Sequence, residues 1–256
     1  MNDKRLYEKG TLITGGAAGI GAACVRRFVA EGARVVIGDV NFRGAQELAG
    51  RLGDSALACE LDVSIEDSFR AAIDLTLSTF GQLDILVNNA AAMLPAVAVQ
   101  ETPTEDFDRF VDVNLRGVYH GCKLGYEPLK AAGGCVLNIS SMAGVTGVAE
   151  HAVYAATKGG INALTKSTAV DWGADGIRVN ALCPTGVWTE TLREWCDSQP
   201  DQQEIVDYLN RIHSLGYCPE ADEISSVAAF LCSDEAKFVT GCIMPVSGGS
   251  ECGYKA

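Results

Sequence analysis

The 256-residue sequence predicts a doubly wound α/β fold: a single seven-stranded parallel sheet with helices on both faces. Three observations predict it. Short β-rich runs alternate with longer helical patterns from end to end. Most of these runs are continuously apolar, as strands covered on both faces must be, and several helical patterns stop at Gly, where helices commonly end.

The strand runs, in order, are "TLIT" (11–14), "RVVIGD" (34–39), "ALACELDV" (56–63), "LDILVNNA" (83–90), "CVLNIS" (135–140), "IRVNALCP" (177–184) and "CIMPVSGG" (242–249). Amphipathic segments such as "IGAACVRRFVAEG" and "SFRAAIDLTLSTFG" lie between them. Two long helical segments, 104–133 and 150–173, carry apolar residues on more than one face, so one face covers the sheet and the other calls for a second subunit. The stretch from Gly186 to Pro219 breaks the alternation with two Trp, two Pro and many acids. An insertion of that length in a compact chain is usually functional or mobile, and it reads as a helical lid over the site. No linker, low-complexity tract or internal repeat divides the chain, so the expectation is one domain over 1–256 with a lid at about 186–219.

Composition narrows the function. With 48% hydrophobic and 21% charged residues the chain can bury one sizeable core. A net charge of -13 with no basic run argues against nucleic-acid and anionic-membrane partners. No apolar run approaches the roughly 20 residues of a membrane span, and "MNDKRLYEKG" holds no signal core, so a cytoplasmic protein is expected. The ten cysteines run from Cys24 to Cys252 without a C-x-x-C, and His120, His151 and His213 are dispersed. Reduced core thiols are expected, with neither a metal site nor a disulfide framework.

Chemistry concentrates where strands end. The first strand runs into "TGGAAGIG" (14–21) and then directly into a helix. Gly15, Gly19 and Gly21 let the backbone turn tightly and approach a pyrophosphate, which the helix amino end favours. Asp39 ends the second strand, eighteen residues past Gly21, where an acid can accept hydrogen bonds from both hydroxyls of an adenosine ribose. The same carboxylate repels a 2′-phosphate, and Ala17, Ala18, Val40 and Asn41 supply no cation to receive one, so NAD is favoured over NADP. "NNA" (88–90) and "NISS" (138–141) put polar residues at further strand ends. In "VYAATKGG" (153–160), Tyr154 and Lys158 stand four residues apart, on one face of a helix.

Taken together, "TGGAAGIG", Asp62-Val63, "NNA", "VNLRG" around Asn114, Ser141, "YAATK" and "FVTGCIMPVSGG" resemble, in order and spacing and over essentially the whole chain, the short-chain dehydrogenase/reductase family. The resemblance implies a Rossmann fold and a secondary alcohol dehydrogenase, or equivalently a ketone reductase, that is a homotetramer; the preference for NAD as cofactor rests on Asp39. It singles out Ser141, thirteen residues before Tyr154, over Ser140. It implies Tyr154 as acid/base, Lys158 on the nicotinamide ribose hydroxyls, Ser141 on the substrate oxygen, and Asn114 anchoring a water that leads the proton outward. Cofactor contacts are implied at Gly15, Gly19, Ile20, Gly21, Asp39, Asp62, Val63, Asn89, Ala90, Tyr154, Lys158, Pro184, Val187 and Thr189.

The chain departs from the family pattern at Ala91, Thr185 and Ser247, where Gly, Gly and Asp are usual. Thr185 adds bulk and a hydroxyl near the nicotinamide and substrate. Substrate contacts are expected from Ser141, His151, Tyr154, Thr185 and Trp188, with Met93, Val145, Pro184, Trp195 and Tyr208 around them; His151 either faces substrate or packs the helix start. The acid-rich lid disfavours a strongly anionic substrate and tolerates a neutral cyclic alcohol or sugar-like polyol. Two alternatives stand beside this reading: a 3-oxoacyl-[acyl-carrier-protein] reductase, which Asp39 and the -13 charge oppose, and a non-catalytic NAD(H)-binding redox sensor.

Overall fold

The computed structural model describes residues 4–93 and 96–252. Its strands are β1 (Gly10–Thr14), β2 (Arg34–Asp39), β3 (Ala56–Glu60), β4 (Ile85–Asn88), β5 (Cys135–Ile139), β6 (Arg178–Pro184) and β7 (Ile243–Val246). They form one parallel sheet in the order β3-β2-β1-β4-β5-β6-β7. Chain progression reverses between β1 and β4, which opens a crevice outside their carboxyl ends.

The helices are α1 (Gly19–Ala30), α2 (Phe42–Leu52), α3 (Glu66–Phe80), α4 (Thr104–Phe110), α5 (Gly117–Ala132), α6 (Ala152–Trp172), α7 (Glu190–Asp197), α8 (Gln202–Arg211) and α9 (Ala221–Cys232). Strand side chains alternate between faces and so feed two cores. Leu12, Val36, Leu86, Val136 and Val179 pack on α3, α5 and α6, around Phe69, Val118, Leu129 and Ile161. Their sequence neighbours Ile13, Val35, Ile37, Val87 and Leu137 pack on α1, α2 and α9, around Phe28, Leu48 and Ile224. Each such buried side chain contributes roughly 1.5–3 kcal/mol over its exposed state, so the continuous apolar runs are the sheet's main support.

Three expectations shift. The run at 56–63 ends as strand at Glu60, because the chain turns at Asp62, whose Oδ1 accepts from the Ser64 N–H at 2.9 Å and the Ser64 hydroxyl at 2.6 Å. The segment 104–133 is not one helix. It is α4 and α5 joined by a π-helical turn over Val111–Arg116, and the extra residue per turn brings Asn114 inward to full burial. Helix 150–173 begins only at Ala152, after Glu150 at φ 59°.

The lid expected at 186–219 contains α7 and α8, which share a small core of Cys196, Leu209 and Cys218 with Trp188, Leu192, Ile205 and Ile212 packed against it. Thr189 and Asp201 cap these helices by accepting from the N–H groups of Leu192 and Glu204. All ten cysteines are free and seven are buried, consistent with a packing role. Among the described residues, no helix is long and apolar enough to cross a membrane and no cluster of His, Cys, Asp and Glu is placed to hold a metal ion.

Candidate functional site

At the carboxyl end of β1 the glycine loop is held by β4. Thr14 Oγ1 accepts from the Asn89 and Ala90 N–H groups at 3.0 and 3.1 Å, while Asn89 Nδ2 donates to the Thr14 and Gly15 carbonyls at 3.0 and 2.9 Å. Gly15 and Gly19 take φ of 63° and 53°, values that L side chains rarely adopt. A Cβ on Gly21 would run into the Gly15 carbonyl oxygen, so only glycine lets α1 start this close to the loop. Ile20 is partly buried against the core. Asp39, half-buried at the end of β2, accepts from the Ala17 N–H at 2.9 Å through Oδ2 and from the Asn41 N–H at 2.8 Å through Oδ1. It therefore braces the glycine loop, a job that the motif did not reveal.

Farther along the crevice, α6 is fixed to the sheet by buried polar contacts. Asn88 Nδ2 donates to Asn138 Oδ1 at 2.9 Å, Asn138 Nδ2 to Thr165 Oγ1 at 2.9 Å, and Thr165 Oγ1 to the Ile161 carbonyl at 2.8 Å. The Ser140 hydroxyl donates to the Lys158 carbonyl at 3.1 Å. In the sequence Asn88, Asn138 and Ser140 read as polar strand ends of the kind that face ligands. Here they set the position of the helix that carries Tyr154 and Lys158.

Lys158 is 2% exposed. Its Nζ donates to the Ile139 carbonyl at 2.9 Å and lies 5.6 Å from the centre of the Tyr154 ring. Burial lowers its pKa to about 8. Burial also raises the Tyr154 phenol above its usual value, while the nearby Ser141 hydroxyl pulls the other way. Ser141 Oγ accepts from the Ala143 N–H at 3.1 Å. The helical spacing of the two residues therefore does bring them together. Burial nevertheless acts against ionisation of the phenol.

The remaining residues fall into three groups. Asn114 has both side-chain groups taken by Ala92, with Oδ1 accepting from its N–H at 2.6 Å and Nδ2 donating to its carbonyl at 3.3 Å. The side chain thereby holds the backbone beyond "NNA". Val63 is buried, its carbonyl 2.9 Å from His120 Nδ1. Pro184 ends β6, and Val187 is buried in the core on the α1 side.

On the substrate side, a cleft beside the Tyr154 ring is lined by Met93, Val97, Thr102, Asp106, Phe110, Glu150, His151 and Val153. The His151 ring stands edge-on to Tyr154 at 6.3 Å and its Nδ1 is 2.7 Å from the Ala149 carbonyl, so it both packs the start of α6 and lines the cleft. Trp188 packs against the small core shared by α7 and α8, beneath Arg193, and does not line this cleft. Val145, Trp195 and Tyr208 are exposed. The Thr185 hydroxyl is bonded to Nε2 of the buried His213, whose Nδ1 lies 2.6 Å from the Leu209 carbonyl. The sequence shows His213 only as one of three dispersed histidines, because nothing local announces a bond between residues 28 apart.

A glycine-loop crevice beside a buried lysine and its partnered tyrosine defines an oxidoreductase of the dinucleotide-binding class. The family model described as enoyl-(acyl carrier protein) reductase matches residues 15–251. The L-fucose dehydrogenase of Oryctolagus cuniculus is 38% identical over 97% of this chain and 87% of its own. The meso-2,3-butanediol dehydrogenase of Serratia marcescens is 36% identical over 96% of both. Among solved structures, the 3-ketoacyl-(acyl-carrier-protein) reductase of Brucella melitensis complexed with NADH superposes with a TM-score of 0.87, at 35% identity, covering 96% of this chain and 99% of that one. The chain belongs to the short-chain dehydrogenase/reductase family.

Proposed function

We propose that the protein interconverts a neutral secondary alcohol, cyclic or sugar-like, and its ketone, with NAD as cofactor. The observation that carries this reading is the Ser141-Tyr154-Lys158 set, held by buried polar contacts at the strand ends that also carry the glycine loop. The crevice fits a dinucleotide: its glycines leave room for a close backbone approach, and Asp39 stands at the end of β2 to accept from a ribose. Beside it Val40 is 68% exposed, and Arg43, the first basic residue beyond, is ion-paired with Glu47 at 3.1 Å. A 2′-phosphate would meet a carboxylate there, so NAD is the better match. When bound, the nicotinamide supplies the hydride acceptor or donor.

The chain's own groups manage the proton. Tyr154 takes it from, or returns it to, the substrate oxygen, which Ser141 holds in place. The burial that raises the phenol keeps Tyr154 protonated, so alcohol oxidation, which needs the phenolate as base, calls for positive charge beside it. Lys158 supplies that charge below its pKa of about 8. Lys158 also binds the nicotinamide ribose, and the lid segment 186–219 closes over the substrate. Asn114 acts as a positioning residue through Ala92.

The relatives named for L-fucose and 2,3-butanediol support a neutral alcohol. The ketoacyl reductase neighbour favours the second reading, an acyl-thioester reductase, which a net charge of -13 opposes because acyl carrier proteins are themselves acidic. The test is to follow reduced-nicotinamide absorbance with NAD or NADP and a panel of sugars, vicinal diols and hydroxysteroids, and in reverse with a 3-oxoacyl thioester. NAD-linked oxidation of a neutral alcohol is expected; turnover of the thioester alone would replace this reading, and no turnover at all would leave the redox sensor.

A further inference from the structure

We infer that Glu190 sets the affinity for the dinucleotide, because its carboxylate competes with the pyrophosphate for the amino end of α1. This rests on the cofactor reading above. The Gly19 N–H, in the first turn of α1, donates to Glu190 Oε2 at 3.0 Å, joining residues 171 positions apart. Helix α1 supplies no cap of its own: Ala18 stands at the N-cap position without a side-chain bond, and the first turn holds no acid. Glu190, from the lid, therefore provides the negative charge that a helix amino end favours.

The neighbouring residues aim it there. The Thr189 methyl carbon lies 3.2 Å from where a Cβ on Gly19 would stand, and the Thr189 hydroxyl caps α7 by accepting from the Leu192 N–H at 3.2 Å. Glu190 thus lies in the first turn of α7 while reaching the first turn of α1, one carboxylate serving two helix amino ends.

A pyrophosphate seated on the glycine loop brings its own negative charge to the same N–H group. The two anions repel each other, so binding displaces Glu190. That displacement releases α7 from α1, and linkage makes the effect reciprocal: a lid held to the loop weakens the cofactor, and the cofactor frees the lid. Because the contact is exposed, salt screens it, and the effect is of modest size.

The experiment is isothermal titration of NADH, ADP-ribose and adenosine into the wild-type protein, Glu190→Gln and Glu190→Ala, with thermal melts to verify folding. NADH and ADP-ribose are expected to bind about two- to fivefold more tightly to both variants, and adenosine, which has no pyrophosphate, equally to all three. Wild-type binding of NADH with no gain in either variant would overturn the role of Glu190 alone, as would an equal gain for adenosine. Failure of the wild type to bind NADH or ADP-ribose would overturn the cofactor reading itself, and this proposal with it.

Discussion

Burying the Lys158 amine against the Ile139 carbonyl lowers its pKa from 10.5 to about 8, so the folded protein holds that proton less tightly than the unfolded chain does. Between about pH 8 and 10.5 the unfolded state carries more protons, and stability rises with pH through that window. Below it both states are protonated and the full penalty stands, on the order of 3 kcal/mol. Lys158→Met should therefore melt higher than wild type at pH 7, with the difference narrowing as the pH approaches 10.5, while turnover is lost. Melting curves across that range decide it; a variant less stable at pH 7 would mean that the Ile139 bond outweighs desolvation. The pairing of Tyr154 with Lys158 was legible in the sequence because i, i+4 spacing fixes it on any helix. Its electrostatics were not, since burial is a property of the folded surroundings.

The π turn shows the limit of periodicity at the level of elements. Over Val111–Arg116 six residues depart from α geometry, too few for an apolar pattern to betray, so 104–133 reads as one helix. Yet that turn delivers Asn114 to Ala92. Asn114→Leu would leave a buried N–H and a carbonyl without partners, and urea unfolding should show a loss of about 2–4 kcal/mol; a change under about 0.5 kcal/mol would show that the π turn holds without it. The segment 186–219 was legible as a departure from strand-helix alternation by its length and its acids, and α7 and α8 occupy it. Its attachments were not: the Gly19–Glu190 and Thr185–His213 bonds join residues far apart in sequence, and single-sequence patterns carry no such pairing. The end of β3 shifted for a local reason, the Asp62 side chain turning the chain inside an apolar run.

For the whole molecule, alternating apolar runs announced the sheet and its two faces, and the topology followed because parallel strands need crossover helices. The surface of α4, α5 and α6 then presents Phe107, Tyr119 and Val170, at 46, 48 and 82% exposure, on the side away from the sheet. Apolar groups so placed suit a two-fold pairing of these helices that would also stiffen the segment carrying Tyr154 and Lys158. A homotetramer is proposed, with a second contact through β7 and the C-terminal residues, of which 253–256 lie outside the described set. Light scattering at micromolar concentration should give a dimer or tetramer; a stable, active monomer would contradict the pairing. The central claim, that this fold serves to place one phenol for proton transfer, is tested most directly by Tyr154→Phe. Single-turnover hydride transfer to a ketone is measured with NADH affinity titrated alongside. The account predicts a rate at least about a thousandfold below wild type with NADH affinity unchanged, whereas a variant retaining more than about a tenth of the rate, a barrier change under ~1.4 kcal/mol, would contradict it.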